Sequence, residues 1–143
     1  MQIKIKYLDE NLEKVKKLPN GDWYDLRSAV TIELKKGDFK LIPLGIIIKL
    51  PPNCEAHVVP RSSTFKNFSI LQVNSQGVID ESYCGPNDQW FFPALAMRDT
   101  KINFNDRICQ FRVMEKQETA EFVDYDDIEY ATDRNGFGST GVK

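Results

Sequence analysis

Phe39-Lys40-Leu41-Ile42-Pro43-Leu44-Gly45-Ile46-Ile47-Ile48-Lys49-Leu50 is a β-rich apolar run with a turn at each end, Lys36-Gly37-Asp38 before it and Pro51-Pro52-Asn53 after it. Apolar runs bounded by glycine, proline and asparagine read as strands. Others of the kind flank it: Val30 to Leu34 upstream, then Ala56 to Val59, Ile70 to Val73, Trp90 to Met97, Ile108 to Met114 and Ala120 to Val123 downstream. At the start of the chain, Gln2 to Tyr7 alternates polar and apolar residues, with Ile3, Ile5 and Tyr7 on one face. Many short strands at regular spacing predict an all-β sandwich, barrel or jelly roll. Helix signals are few. Asp9 to Lys17 is too short to decide between a helical turn and an irregular loop, and Pro19-Asn20-Gly21 ends it. Ser62 to Asn67 reads as one short internal helix, with the hydroxyls of Ser62, Ser63 and Thr64 available as N-caps.

With 143 residues the chain suits one domain, 1–143, with a sizeable core. No repeat, linker or low-complexity stretch divides it. The net charge of −2 argues against a general nucleic-acid binder, which needs a basic surface, but leaves room for a nucleotide held by a few local cations. Cys54, Cys84 and Cys109 are far apart and odd in number, which disfavours a disulfide framework. No apolar run approaches the roughly 18 residues of a membrane span, and Met1 to Lys6 holds no signal-peptide core. The expectation is a cytoplasmic protein with no membrane partner.

Several catalytic arrangements are disfavoured at once. His57 is the only histidine, so a Ser-His-Asp hydrolase is improbable, and no G-x-x-x-x-G-K-[ST] phosphate loop occurs. Cys54 and His57 are spaced like zinc ligands, but no second pair follows, and His57 reads better as a hydrogen-bonded strand residue. What remains are five polar clusters at strand breaks: Asp22 to Ala29, Pro60 to Thr64, Asn74 to Gly85, Asp106 to Gln110, and the glycine-rich 134–141 segment. A triphosphate carries about four negative charges, and Arg61, Ser62, Ser63 and Gln110 offer the cation and donors it needs. Asp80 sits in a Gly77-to-Gly85 segment that reads as a β-hairpin, where a carboxylate can orient and deprotonate a water.

Each cluster alone has a plain structural reading. In this order and spacing, however, they resemble the five motifs of the trimeric dUTPase family, above all in Gly77-Val78-Ile79-Asp80-Glu81-Ser82-Tyr83-Cys84-Gly85 and Phe137-Gly138-Ser139-Thr140-Gly141. The resemblance runs from Asp22 to Gly141 and is nearest to members from Gram-positive bacteria and their phages, with Trp90-Phe91-Phe92-Pro93 in support. It implies a jelly-roll-like barrel, a homotrimer with shared active sites, and Mg²⁺-dependent hydrolysis of dUTP to dUMP and pyrophosphate. That reaction keeps uracil out of DNA and supplies dUMP for thymidylate synthesis. By resemblance, Arg61, Ser62, Ser63 and Gln110 hold the α- and β-phosphates, Asp80 activates the water, and Asp25 holds Mg²⁺ through its waters. Tyr83 packs beneath the deoxyribose, excluding a 2′-hydroxyl, while the Gly77-Val78-Ile79 backbone and Asn74 read the uracil edge.

Residues 134–143 are expected to form a flexible C-terminal lid carrying Arg134, Phe137, Gly138 and Ser139. The family commonly places four residues between the lid arginine and its aromatic, whereas only Asn135 and Gly136 stand there in this chain. That departure bears on whether Arg134 reaches the γ-phosphate. It also makes Phe91 the preferred ring for stacking on the base, with Phe137 closing over it or replacing it; Trp90 and Phe92 are expected in the core. A dCTP deaminase is the nearest rival; it needs an acid/base glutamate in the base pocket, for which Glu81 stands, and no tyrosine beneath the sugar, against which Tyr83 argues. A repressor protein is a further partner to consider if the chain is phage-encoded.

Overall fold

The computed structural model describes residues 1–143. Eleven strands and one short helix form in chain order: β1 (Lys4–Tyr7), β2 (Tyr24–Arg27), β3 (Ile32–Leu34), β4 (Phe39–Pro43), β5 (Ile46–Lys49), β6 (Cys54–Pro60), α1 (Thr64–Phe68), β7 (Ile70–Gln72), β8 (Gly77–Ile79), β9 (Phe91–Ala96), β10 (Thr100–Ile102) and β11 (Arg107–Glu115). The two larger sheets run β2-β11-β6-β8 and β4-β9-β7, with two-stranded pairs β1-β5 and β10-β3 beside them. Every pairing is antiparallel. The architecture is the expected jelly-roll-like all-β fold with one short internal helix.

Alternation builds most of it. Lys4 and Lys6 are exposed while Ile5 and Tyr7 turn toward the core. On β9, Phe92, Ala94 and Ala96 point inward and Phe91, Pro93 and Leu95 outward. Leu26, Ile42, Ile46, Ile48, Val58, Trp90, Phe92, Ile108 and Phe111 meet in one core cluster. Trp90 packs edge-on to Phe111, ring centroids 5.4 Å apart, in an arrangement aromatic pairs favour.

Some local expectations change. The run from Phe39 to Leu50 is two strands, not one, because Gly45 turns the chain between β4 and β5 at φ 68°. A Cβ there would lie 2.8 Å from the Ala29 Cβ, so only glycine fits both the angle and the approach. Residues 77–85 do not form a hairpin: β8 pairs only with β6, and turns follow it. Ala120 to Val123 forms no strand and is exposed, and Asp9 to Lys17 is irregular. Ser62 and Ser63 do not cap α1 with their hydroxyls; instead Thr64 Oγ1 accepts from the Arg61 N–H and donates to the Ile108 carbonyl, both at 2.8 Å.

Two surfaces lack partners within the chain. The outward side of β4-β9-β7 is apolar in successive cross-strand rows: Phe39, Leu95 and Leu71, then Leu41, Pro93 and Val73, then Pro43 and Phe91. Phe39 and Leu41 are 54% and 55% exposed. Every residue from Gln117 to Lys143 is exposed as well.

Candidate active site

The first of two polar depressions is built where β2, β11 and the end of β6 converge. Asp25 of β2 pairs with Gln110 of β11, just past a register slip between Arg107 and Cys109. The Asp25 carboxylate is only 14% exposed and is gripped from both sides: Oδ1 lies 3.1 Å from Arg61 Nε, and Oδ2 lies 3.0 Å from Arg107 Nη1. Arg61 Nη1 also donates to the Arg107 carbonyl at 3.2 Å. With Asp22 paired to Arg112 at 3.2 Å, the two guanidiniums against Asp25 leave one net positive charge here. Gln110 spends one amide hydrogen on the Pro60 carbonyl at 3.1 Å and keeps the other. Ser62 and Ser63 use neither their hydroxyls nor their backbone N–H groups within the chain. The cavity, about 250 Å³, is lined by Asp22, Trp23, Asp25, Arg61, Ser62 and Gln110. Its charge and free donors suit a polyanion.

The second is a cleft of about 510 Å³ between β8 and β9, lined among others by Asn74, Val78, Ile79, Asp80, Tyr83 and Phe91. β8 is the edge of its sheet, so its outward backbone groups are free to hydrogen-bond a ligand. Asp80 opens a turn in which the Tyr83 N–H donates to the Asp80 carbonyl at 3.0 Å. The Ser82 N–H and hydroxyl both donate to Asp80 Oδ1 at 2.9 Å, leaving Oδ2 free. The Ser82 backbone N–H first, then its hydroxyl and the charge of Lys116, hold Asp80 below the usual aspartate range. Tyr83 donates from its hydroxyl to the Gln89 carbonyl at 3.0 Å, which fixes the ring. Phe91 is 39% exposed on the cleft, while Trp90 and Phe92 are buried in the core.

No residue lines both cavities. Along β6, Asp80 follows Ile79, which pairs with Ala56, whereas Arg61 lies five residues further on, beyond the far end of that strand. At about 3.3 Å per residue that is roughly 16 Å. The lid candidates Arg134, Phe137, Gly138 and Ser139 stand apart from both, in the exposed segment. The predicted site residues thus fall into three separate groups within one chain.

Residues 17–141 match the family model for dUTPase. The chain belongs to the dUTPase family. It is 58% identical over its full 143 residues, covering all of both chains, to the SPbeta prophage-derived deoxyuridine 5'-triphosphate nucleotidohydrolase YosS of Bacillus subtilis (strain 168). A deoxyuridine 5'-triphosphate nucleotidohydrolase of Neorickettsia sennetsu is 38% identical over 122 residues, 83% of this chain and 80% of that one. Among solved structures, the dUTPase of Streptococcus mutans superposes with a TM-score of 0.74 at 25% identity, covering 85% of this chain and 100% of that one. The Staphylococcus bacteriophage 80alpha dUTPase with dUPNHPP reaches 0.81 at 18% identity over 99% of each chain, a likeness of fold.

Against the dUTPase motifs, sequence reading passed over two residues that touch the key carboxylates. Arg107 stands in the fourth cluster, three positions before Gln110, and shares Asp25 with Arg61. Ser82 sits two residues after Asp80, the spacing at which an aspartate side chain closes a turn on the following backbone. Glu81 faces away from acid/base work: Oε1 accepts from Lys116 Nζ at 2.8 Å and Oε2 from the Asn53 N–H at 2.7 Å. His57 bonds Glu55 at 2.5 Å, as a satisfied strand histidine does.

Proposed function

We propose that the chain hydrolyses dUTP to dUMP and pyrophosphate, removing a precursor of uracil in DNA and supplying dUMP for thymidylate synthesis. The observation that carries this reading is the pair of complementary half-sites: a cationic pocket with unused donors, and a cleft with an ionised aspartate, a fixed tyrosine and a free strand edge. The β8 edge and Asn74 read the uracil, and the ring of Tyr83 lies under the deoxyribose where a 2′-hydroxyl would collide. Arg61, Ser62, Ser63 and Gln110 hold the α- and β-phosphates. A water hydrogen-bonded to Asp80 Oδ2 gives its proton to that oxygen as it attacks the α-phosphorus. The new P–O bond forms as the bond from the α-phosphorus to the α–β bridging oxygen breaks, and pyrophosphate leaves with the electron pair. A low-pKa carboxylate is a weak base, so positioning of the water contributes much of the acceleration.

Mg²⁺ fits this donor set in one manner. It takes hard oxygen ligands and keeps several waters, and the phosphate pocket offers Asp25, whose two oxygens are already engaged by Arg61 and Arg107. Asp25 would therefore hold the ion through water, with the triphosphate as its main ligand. When bound, the ion neutralises and orients the phosphate oxygens.

A nucleophile must come within about 3–3.5 Å of its target, which the roughly 16 Å between the half-sites forbids in one chain. A homotrimer resolves this, with the phosphate pocket of one copy facing the cleft of the next. The apolar side of β4-β9-β7, continuous with the cleft through Leu41, Pro93 and Phe91, supplies a surface for such a contact. Apolar patches of this kind mark association sites. Residues 134–143 then act as a flexible lid from a third copy.

Pyrophosphate release tests the activity. With Mg²⁺ present, dUTP turns over and UTP, dCTP and dTTP do so poorly; no release from dUTP would overturn the reading. Ammonia release from dCTP would instead favour the deaminase, against which the doubly engaged Glu81 argues.

A further inference from the structure

Glu81 is the residue next to Asp80, and its carboxylate reaches away from the cleft to two other parts of the fold. Its Oε2 accepts the backbone N–H of Asn53, in the Pro51-to-Asn53 turn between β5 and β6, at 2.7 Å. Its Oε1 accepts from Lys116 Nζ, one residue past β11, at 2.8 Å. The Lys116 N–H closes the ring by donating to the Asn53 carbonyl at 3.0 Å. Asn53 itself sits at φ 62°, so the turn presents both of its backbone groups to this ring. Three elements distant in sequence are thus knotted at one point, immediately beside the turn that carries Asp80, Ser82 and Tyr83.

We propose that Glu81 and Lys116 are positioning residues that clamp the Asp80 turn to the β5–β6 turn and the end of β11, fixing the direction in which the Asp80 carboxylate points. The inference rests on the reading of Asp80 as the water-activating group. Catalytic groups have to be held within about 0.5 Å of productive geometry by the residues behind them, and an edge strand of three residues cannot do that alone. β8 pairs only with β6, and Asp80 lies beyond its last pair. Glu81 supplies the missing restraint. The charged groups about it agree: Lys116 favours the ionised form of Asp80, Glu81 neutralises Lys116 locally, and Glu55 on β6 adds to the negative field at Lys116. The clamp also lies at the root of the exposed segment, since Lys116 is the last residue before it that is partly buried. The Asp80 turn and the start of the exposed segment therefore share one anchor.

The test compares Lys116→Met and Glu81→Gln with wild type and with Lys116→Arg, which keeps the charge and the donors. Two readouts are needed: steady-state kinetics with dUTP, and the titration of the Asp80 carboxyl followed by ¹³C NMR in the free protein. Loss of the clamp lowers kcat roughly 10-fold or more, as small misplacements of reacting groups do, with KM changed less than about 2-fold. Lys116→Met moves the Asp80 titration to higher pH, and Lys116→Arg restores both readouts. Unchanged kcat in Lys116→Met, or an unmoved Asp80 titration, would overturn the clamp. A wild-type protein that titrates as described and does not turn over dUTP would refute the catalytic reading and with it the role of the clamp in catalysis, while leaving the knot itself measurable.

Discussion

In the phosphate pocket the charges are already paired inside the chain: Asp25 of β2 is held between Arg107 at the start of β11 and Arg61 just past the end of β6, so three neighbouring strands of one sheet meet on it. In the nucleoside cleft the Asp80 carboxylate is bonded only within its own turn, just past an edge strand, while Asp88, the other carboxylate there, accepts from the Gly85 N–H. The first region is cross-linked within the chain; on the proposed reading the second depends on what is placed against it. A chain built this way keeps the Arg61–Asp25–Arg107 cluster and the Asp80 carboxylate toward opposite ends of β6, so on the proposed reading neither half acts on water and triphosphate alone. Separation is the feature the following substitutions break or sharpen.

Asp80→Asn carries the largest expected effect. It keeps the shape of the cleft and one hydrogen bond but removes the base, so kcat falls roughly 10²–10⁴-fold while dUTP binding, followed by calorimetry, stays near wild type. Retained kcat would take Asp80 out of the chemistry. Arg61→Ala strikes the other half. Hydrogen bonds to charged groups are worth about 1.5–3 kcal/mol, so kcat/KM falls by about 10- to 100-fold, and Asp25 is left to Arg107 alone. An effect on kcat/KM no larger than that of a surface arginine such as Arg98 would remove Arg61 from the substrate's phosphates.

The stacking ring is a smaller question and a direct contest. Base–aromatic stacking is worth roughly 1–3 kcal/mol, so loss of the true ring weakens kcat/KM at least several-fold. Phe91 already stands on the cleft, whereas Phe137 is fully exposed; Phe91→Ala is expected to be the more impaired. Impairment of Phe137→Ala alone would assign the ring to the lid. Smallest of all is Ser82→Ala. Because Ser82 stabilises the charged form of Asp80, kcat/KM holds from neutrality down toward the ordinary aspartate value of about 3.9 and falls only as pH drops through the lowered one. Removing the hydroxyl moves that fall to higher pH without abolishing it, since the backbone N–H remains. A pH profile identical to wild type would show that the hydroxyl does not set the charge of Asp80.

Much of this was legible in the sequence where local periodicity governs structure. The alternation at Ile5 and Tyr7, and of Phe91 with Phe92, carries through to the faces they occupy. Where long-range pairing governs, local pattern misleads. Gly77 to Gly85 has hairpin composition, yet the partner of β8 is β6, and nothing in the segment itself says so. Ala120 to Val123 has strand composition but no neighbour in its own chain, so it gains nothing by extending into a sheet. Thr100 to Ile102 carries too short a pattern to notice and forms β10 only because β3 is there to receive it. The site residues stood out by chemical type and by order. Their division into separate pockets was implied only by the family resemblance, because physically it depends on the β6–β8 register, which sets Arg61 past one end of β6 and Asp80, just after β8, beside the other. Arg107 was hidden for a similar reason, its role arising from the register slip that turns it onto Asp25.

The most direct test of that division is complementation between two crippled chains. Asp80→Asn and Arg61→Ala chains are mixed under denaturing conditions, refolded together, and assayed for pyrophosphate release from dUTP. If each site joins the phosphate pocket of one copy to the cleft of another, about a quarter of the sites in randomly mixed trimers receive two intact halves. Activity then recovers to about that fraction of wild type, far above either parent. Mixed trimers verified by mass that stay as inactive as their parents would contradict the account, because both halves would then have to come from the same chain.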